Sequence, residues 1–207
     1  METFLSPQKI FDGVAVIQAA FTAAVTGIIT SNAHGLSQGD KVQLTTATTL
    51  PAGFSLATDY YVVNPTTNTF QLASWENGEI VVPTDTGTGT HTFHLKGRTI
   101  LCDRFNSISL SLDTSGSANC TMKIQTSSQK EVPDFNAVQS MTNEWDYVEV
   151  ADLQNQTTYD GDDGIVLAGT DEHAKFNVNI PNTRWLTVVF TAWSAGKVKI
   201  SASLGYV

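Results

Sequence analysis

The 207-residue sequence predicts an all-β chain: an antiparallel β-sandwich of jelly-roll character that carries a small inserted β module. Three observations lead there. Charged residues make up only 15% of the chain while Thr, Ser, Val and Gly abound, a balance that favours strands over helices. Short runs of β-formers recur throughout, bounded by Gly, Pro, Asn and Asp. No stretch keeps a clear helical period.

Taken in order, Lys9–Gln18 reads as an opening strand with Val14 and Val16 facing one way. Ala19–Val25 leads into the module, whose first strand is expected at Gly27–Thr30. Runs at Lys41–Leu44, Tyr60–Val63 and Thr69–Leu72 follow, with turn signals at His34-Gly35, Gln38-Gly39-Asp40, Pro51-Ala52-Gly53 and Asn64-Pro65. The short Asn64–Asn68 link is of hairpin length. Glu79–Val82 and His91–Leu95 are the last expected module strands, separated by the polar loop Thr84–Thr90.

Beyond Lys96-Gly97-Arg98, strands are expected at Thr99–Cys102 and Ser107–Leu112. Ile108, Leu110 and Leu112 alternate with serines, a half-buried pattern. Cys120, Met122 and Ile124 repeat it with Thr121, Lys123 and Gln125 outward, so the Ser/Gly-rich Asp113–Asn119 reads as the turn of a hairpin. Ser127–Asn143 is irregular and contains Pro133. Trp145–Val150, Ile165–Ala168, Lys175–Ile180, Trp185–Trp193 and Lys197–Leu204 complete the strands, with turns at Asn182 and Gly196. Residues 98–207 lack an N-terminal strand, which Ile10–Ile17 would supply if it lies beside Thr99–Cys102. The expected organisation is therefore a discontinuous outer domain, 1–20 plus 97–207, with 21–96 inserted into an exposed connection. The alternative is two domains in series behind an N-terminal arm.

The net charge of −9, with eleven scattered Lys and Arg, argues against a nucleic-acid groove. No apolar run reaches the roughly 18 residues of a membrane span, and METFLSPQKIFDG lacks the basic start of a signal peptide. Cys102 and Cys120 are too few for a disulfide framework, would fall out of register across the expected hairpin, and read as reduced, buried thiols suited to a cytoplasm.

Chemistry is sparse. His91 and His94 fall on opposite faces of one strand, His34 sits in a turn and His173 in a loop, so no zinc geometry emerges. No G-x-S-x-G elbow is present. Glu144 and Asp146 flank Trp145, yet nothing places them across a cleft as glycoside hydrolysis requires. Asp160, Asp162 and Asp163, alternating with Gly161 and Gly164, are the candidate calcium ligands, with an ordinary acidic turn as the other reading. Trp145, Trp185 and Trp193 are the candidate binding surface. Trp185 and Trp193, eight apart on one expected strand, should share a face; they either fill a core or present a platform, and large aromatics favour the core. No catalytic or cofactor-binding residue is assigned, and the chain is not expected to be an enzyme.

Two stretches resemble known proteins. Asn32-Ala33-His34-Gly35-Leu36, Gly39-Asp40-Lys41-Val42, Leu50-Pro51-Ala52-Gly53, Tyr60-Tyr61-Val62-Val63, Thr69-Phe70-Gln71-Leu72 and the closing Asp85–Thr90 resemble a small β module of tailed-bacteriophage structural proteins. This pattern covers about a third of the chain. The segments SQKEVPDFNAVQSMTNEWDYVEVADL, GDDGIVLAGTD and NTRWLTVVFTAWSAGKVKIS resemble β-sandwich virion components of such phages. The resemblance implies an assembly role in the virion, after synthesis in the host cytoplasm, and carries over no catalytic residue. It implies a capsid decoration or head-fibre subunit that binds the major capsid protein, or other virion proteins, and further copies of itself. Its alternative is a tail or tail-fibre adhesion module contacting host glycans. A repetitive assembly also suits strands whose edges are covered by neighbours.

Overall fold

The computed structural model describes residues 8–10, 15–103 and 105–205. Among these, every regular element is a strand. In chain order they are β1 (Gln8–Lys9), β2 (Ala15–Val16), β3 (Gln18–Ala23), β4 (Ile29–Thr30), β5 (Lys41–Thr46), β6 (Tyr60–Val63), β7 (Thr69–Ala73) and β8 (His91–Lys96). Then come β9 (Ile100–Leu101), β10 (Ser107–Ser127), β11 (Asp146–Tyr147), β12 (Val150–Asp152), β13 (Thr157–Tyr159), β14 (Ile165–Thr170), β15 (His173–Asn179) and β16 (Trp185–Gly205). The chain divides into two compact units, 12–96 and 1–11 with 97–207. The first boundary expected from sequence, between residues 20 and 21, falls inside β3, whose Gln18–Phe21 pair with His94–His91 of β8. The single opening strand expected over Lys9–Gln18 is instead broken into short pieces, and Val14 lies outside the described residues.

The unit 12–96 is a closed antiparallel barrel, in the order β3-β4-β7-β6-β5-β8. Closure leaves no unpaired edge among the barrel strands, which short strands need because each alone buries little. Alternation supplies the interior: Val42 and Leu44 of β5 lie opposite Leu95 and Phe93 of β8, and all four are buried. Ile29 pairs with Phe70 and Val62 with Leu72 in the same layer. Phe70 meets Phe93 edge-on at 5.6 Å and His34 at 5.0 Å, so the aromatic centre joins both sides of the barrel. The expected strand at Glu79–Val82 does not form; one bridge from Ile80 to Ala73 and the Val81 N–H donating to Leu72 O replace it. The Thr84–Thr90 loop is tied down by Asp85, whose carboxylate accepts from the Ala52 and Gly87 amides at 2.8 and 2.9 Å. These backbone donors hold its carboxyl below the usual range.

The second unit is a large antiparallel sheet built on two 21-residue strands, β10 and β16. Here the structure corrects the sequence twice. Residues 107–125 are one strand, not a hairpin, and residues 185–204 are one strand, without a reversal at Gly196. The two run antiparallel from Ser107↔Gly205 to Ser127↔Trp185, with register slips near Ser115, Asn119 and Thr121. On the other side of β10, β15 pairs with Ser107–Asp113 and β14 with Ser117–Met122, so that pair also acts as one interrupted long strand. The core face is the even-numbered row of β10: Ile108, Leu110, Leu112, Thr114, Ala118, Cys120, Met122 and Ile124 are all buried. They face Val198, Ile200, Ala202 and Leu204 at one end and Leu186 and Val188 at the other.

Two features bear on the candidate site. β1 and β9 pair with β16 at Ala202–Ser201 and Leu186–Trp185 respectively, and the Arg98 N–H donates to Ile10 O at 3.3 Å. The chain thus leaves this unit and returns to it within one hydrogen bond, which is the geometry an insertion requires. Gln125, expected outward, is buried, and its amide donates to Phe135 O at 3.2 Å. The irregular passage after β10 therefore folds over the non-core face of the sheet. The expected strand Trp145–Val150 is split into β11 and the start of β12.

Candidate functional site

The acidic turn does not gather its carboxylates. Asp160 O accepts from the Gly164 N–H at 2.9 Å and Asp160 Oδ1 from the Asp162 N–H at 2.8 Å, which closes the turn on itself. Lys123 donates to the Asp162 carbonyl, the group a calcium ion would otherwise recruit. Asp162 and Asp163 point into solvent. No group of three or more His, Cys, Asp or Glu among the described residues is placed to hold a metal ion.

Trp145, Trp185 and Trp193 are half-buried, neither core nor open platform. Each indole N–H is satisfied locally: Trp145 donates to Ala137 O at 3.1 Å, Trp185 to Gln129 O at 3.0 Å and Trp193 to Gly196 O at 3.2 Å. Trp185 and Trp193 do not share a face. Trp193 pairs with Cys120 and Trp185 with Ser127, an odd separation on β10. The extra residue that β16 inserts opposite Thr121/Met122 flips the alternation between them. Trp193 consequently joins the core row, and Trp185 lies on the opposite face beneath Arg184, whose guanidinium is 5.7 Å from the ring.

Trp145 is the exception in its surroundings. It meets Tyr147 edge-on at 5.3 Å and lines a shallow hollow of about 240 Å³ with Thr126, Gln139, Glu144, Asp146 and Asn182. The wall carrying Trp145 is fixed at three successive carbonyls. Ser127 Oγ donates to Glu144 O at 2.5 Å, the Gln139 amide donates to Trp145 O, and Thr126 Oγ1 donates to Asp146 O at 3.4 Å. Sequence reasoning named Trp145 and its flanking acids but not Gln139 or Asn182, which only the passage over β10 and the Ile180–Thr183 turn bring near.

No protein-family profile, curated protein or solved structure matches the chain. The arrangement of side chains must therefore speak for itself.

The histidines and cysteines make local structural contacts. His34 is buried and its Nδ1 accepts from the Leu36 N–H at 2.9 Å, fixing the turn. His91 contacts Thr46 Oγ1 through Nδ1 at 2.9 Å, while His94, on the other face of β8, contacts Thr45 Oγ1 at 2.9 Å. His173 pairs with Asp113 at 2.6 Å on an exposed surface, a contact of little energetic weight. Burial pushes the Cys102 thiol up to about 12, and burial with Glu172 nearby pushes Cys120 up to about 11. Both cysteines are free and buried. The folded chain should therefore leave both thiols unmodified by a disulfide reagent at about pH 8, while the denatured chain reacts fully.

Asp152, on the wall of a second hollow, is a structural carboxylate. Burial raises its pKa, but donation from the Asn155 side chain and from the Asn155 and Gln154 amides outweighs this and holds it below the usual range. A depressed folded-state value stabilises the fold above the unfolded pKa, and that contribution is lost as pH falls through the folded one. Asp152→Asn should lower stability near neutral pH, with the difference shrinking in acid, as read from urea midpoints at a series of pH values.

Proposed function

We propose that the chain is a non-enzymatic structural subunit of a tailed-bacteriophage virion, a capsid decoration or head-fibre protein that attaches through its large-sheet unit. One observation carries this reading. The segment between β10 and β13 that resembles virion sandwich proteins also displays the two most exposed large apolar side chains among the unit's described residues, Met141 at 99% and Val138 at 87%, together with Leu153 at 57% and Val132 at 54% exposure. Several apolar groups on one segment mark an interaction surface rather than random exposure. Binding spread over a broad area suits the major capsid protein or a neighbouring copy. The jelly-roll-like sandwich belongs to the same proposal: slips halfway along β10 and β16 are where bulged strands bend and a large sheet can turn over itself.

The test uses purified protein and particles of the parent phage that lack it. Full-length chain should cosediment with heads, and Val138→Ser with Met141→Ser should weaken this by at least about tenfold while thermal unfolding is unchanged. Binding to heads that survives both changes would sink the proposed surface. A second reading, a tail or tail-fibre adhesion module, is favoured by the Trp145 hollow; it predicts cosedimentation with tails rather than heads.

A further inference from the structure

We propose that the outer edge of β14 docks an extended strand of another protein, one with a β-forming middle and a basic residue at each end. β14 pairs with Ser117–Met122 of β10 and, among the described residues, with no other strand. Its neighbour in line, β15, is covered on that side by β12 through Ala151↔Asn177 and Asp152↔Phe176. The Leu153 N–H still donates to Lys175 O at 3.4 Å, one step nearer β14, but the chain then turns back into β13. The Asp152 carboxylate holds that turn by accepting from the Gln154 and Asn155 amides. The row that β12 begins therefore stays open beside β14. A hollow of about 340 Å³ marks it, bordered by Gln154, Asn155, Ile165, Val166 and Leu167.

The edge itself is unprotected. In an antiparallel pair every second residue turns its N–H and C=O away from the partner, so β14 presents such groups outward. Native edges are blunted by a charge, a proline or a bulge within the strand. Ile165–Thr170 holds no charge and no proline, and it pairs with β10 without a register slip. Ile165 and Leu167 are buried while Val166 is 67% exposed, so an added strand with the same alternation would continue both faces.

Charge selects the occupant. A carboxylate sits just outside each end: exposed Asp163 before the strand and Glu172 after it. Glu172 borders the hollow and folds against Gly169, where it fills the space of a Cβ. The nearby cations are turned elsewhere. Lys123 donates to Asp162 O, His173 pairs with Asp113, and Lys175 lies beside β12, where the row is filled. A second copy fits poorly. Two β14 edges paired about a two-fold axis at Leu167 would set Asp163 against Asp171 and Asp162 against Glu172. A strand with Lys or Arg spaced as Asp163 and Glu172 are meets a carboxylate at each end instead.

The docking uses neither Val138 nor Met141, so it and the proposed capsid attachment can fail separately. The probe is the end-capped peptide Lys-Thr-Val-Thr-Val-Thr-Val-Thr-Val-Lys, titrated into the full chain to about 1 mM at low salt. Amide exchange along β14 is read by NMR. The peptide should protect every second amide of Ile165–Gly169, since the others already donate to β10. The same peptide with Glu at both ends, or with its inner amides N-methylated, should not. Asp163→Asn with Glu172→Gln should weaken the lysine peptide by about threefold or more, with thermal unfolding unchanged. The proposal is overturned by β14 exchange that the lysine peptide leaves unmoved, by equal protection from either control peptide, or by unchanged affinity in the double variant. Protection that grows with protein concentration alone would put a second copy on the edge and overturn it as well.

Discussion

Phe70→Ala is expected to destabilise the barrel by about 3–5 kcal/mol, the cost of emptying an aromatic site in a closed core. Phe70 is 1% exposed and lies between the rings of His34 and Phe93. Its loss removes an edge-on ring contact that joins β7 to β8 through the barrel interior. Small domains hold only about 5–15 kcal/mol in total, so the barrel would sit near its unfolding threshold. Hydrogen exchange resolved by peptide should show lost protection across residues 18–96 with little change in β10 and β16. Equal loss in both units would contradict their separation.

The second large effect is a contrast between two glycines. Gly196 has φ +84°, and a Cβ there would lie 2.5 Å from Ala118 Cα, a backbone atom that cannot move aside. Gly116 has a similar φ of +73° but nothing within 4 Å of its would-be Cβ. Gly116→Ala should therefore cost about 1 kcal/mol from conformation alone. Gly196→Ala adds a collision across the β10–β16 pair and should cost about 3 kcal/mol or more. Urea unfolding of both variants measures the difference. Equal costs would contradict the close approach of Gly196 to Ala118 where β16 and β10 slip register.

Those glycines also explain what the sequence did and did not disclose. The all-β class was legible because strands such as β8, most of β5 and much of β10 keep period-two alternation, and Val42, Leu44, Phe70, Leu72, Phe93 and Leu95 are all buried in the barrel. The long strands were not. Asp113–Asn119 has the composition of a hairpin loop, and composition is a local signal. The contrary signal was subtler: Thr114 and Ala118 extend the even-numbered inward row of Ile108–Leu112 into that of Cys120–Ile124, as one strand would. The pairing of Trp185 with Trp193 on one face failed for a related reason, since a bulge leaves no mark in spacing. At the candidate site, Trp145 and its acids are sequence neighbours and could be named in advance. Gln139 and Asn182 come from separate segments, and only tertiary packing sets them around the same hollow.

Copy number distinguishes the proposed phage-head subunit from every other reading. Quantitative mass spectrometry of purified virions, which under the proposal hold the chain, gives its ratio to the major capsid protein. A head subunit is expected at a fixed ratio in step with the capsid lattice, retained in heads separated from tails. A copy number of only a few per particle that follows the tail fraction, or absence from the virion, would contradict it.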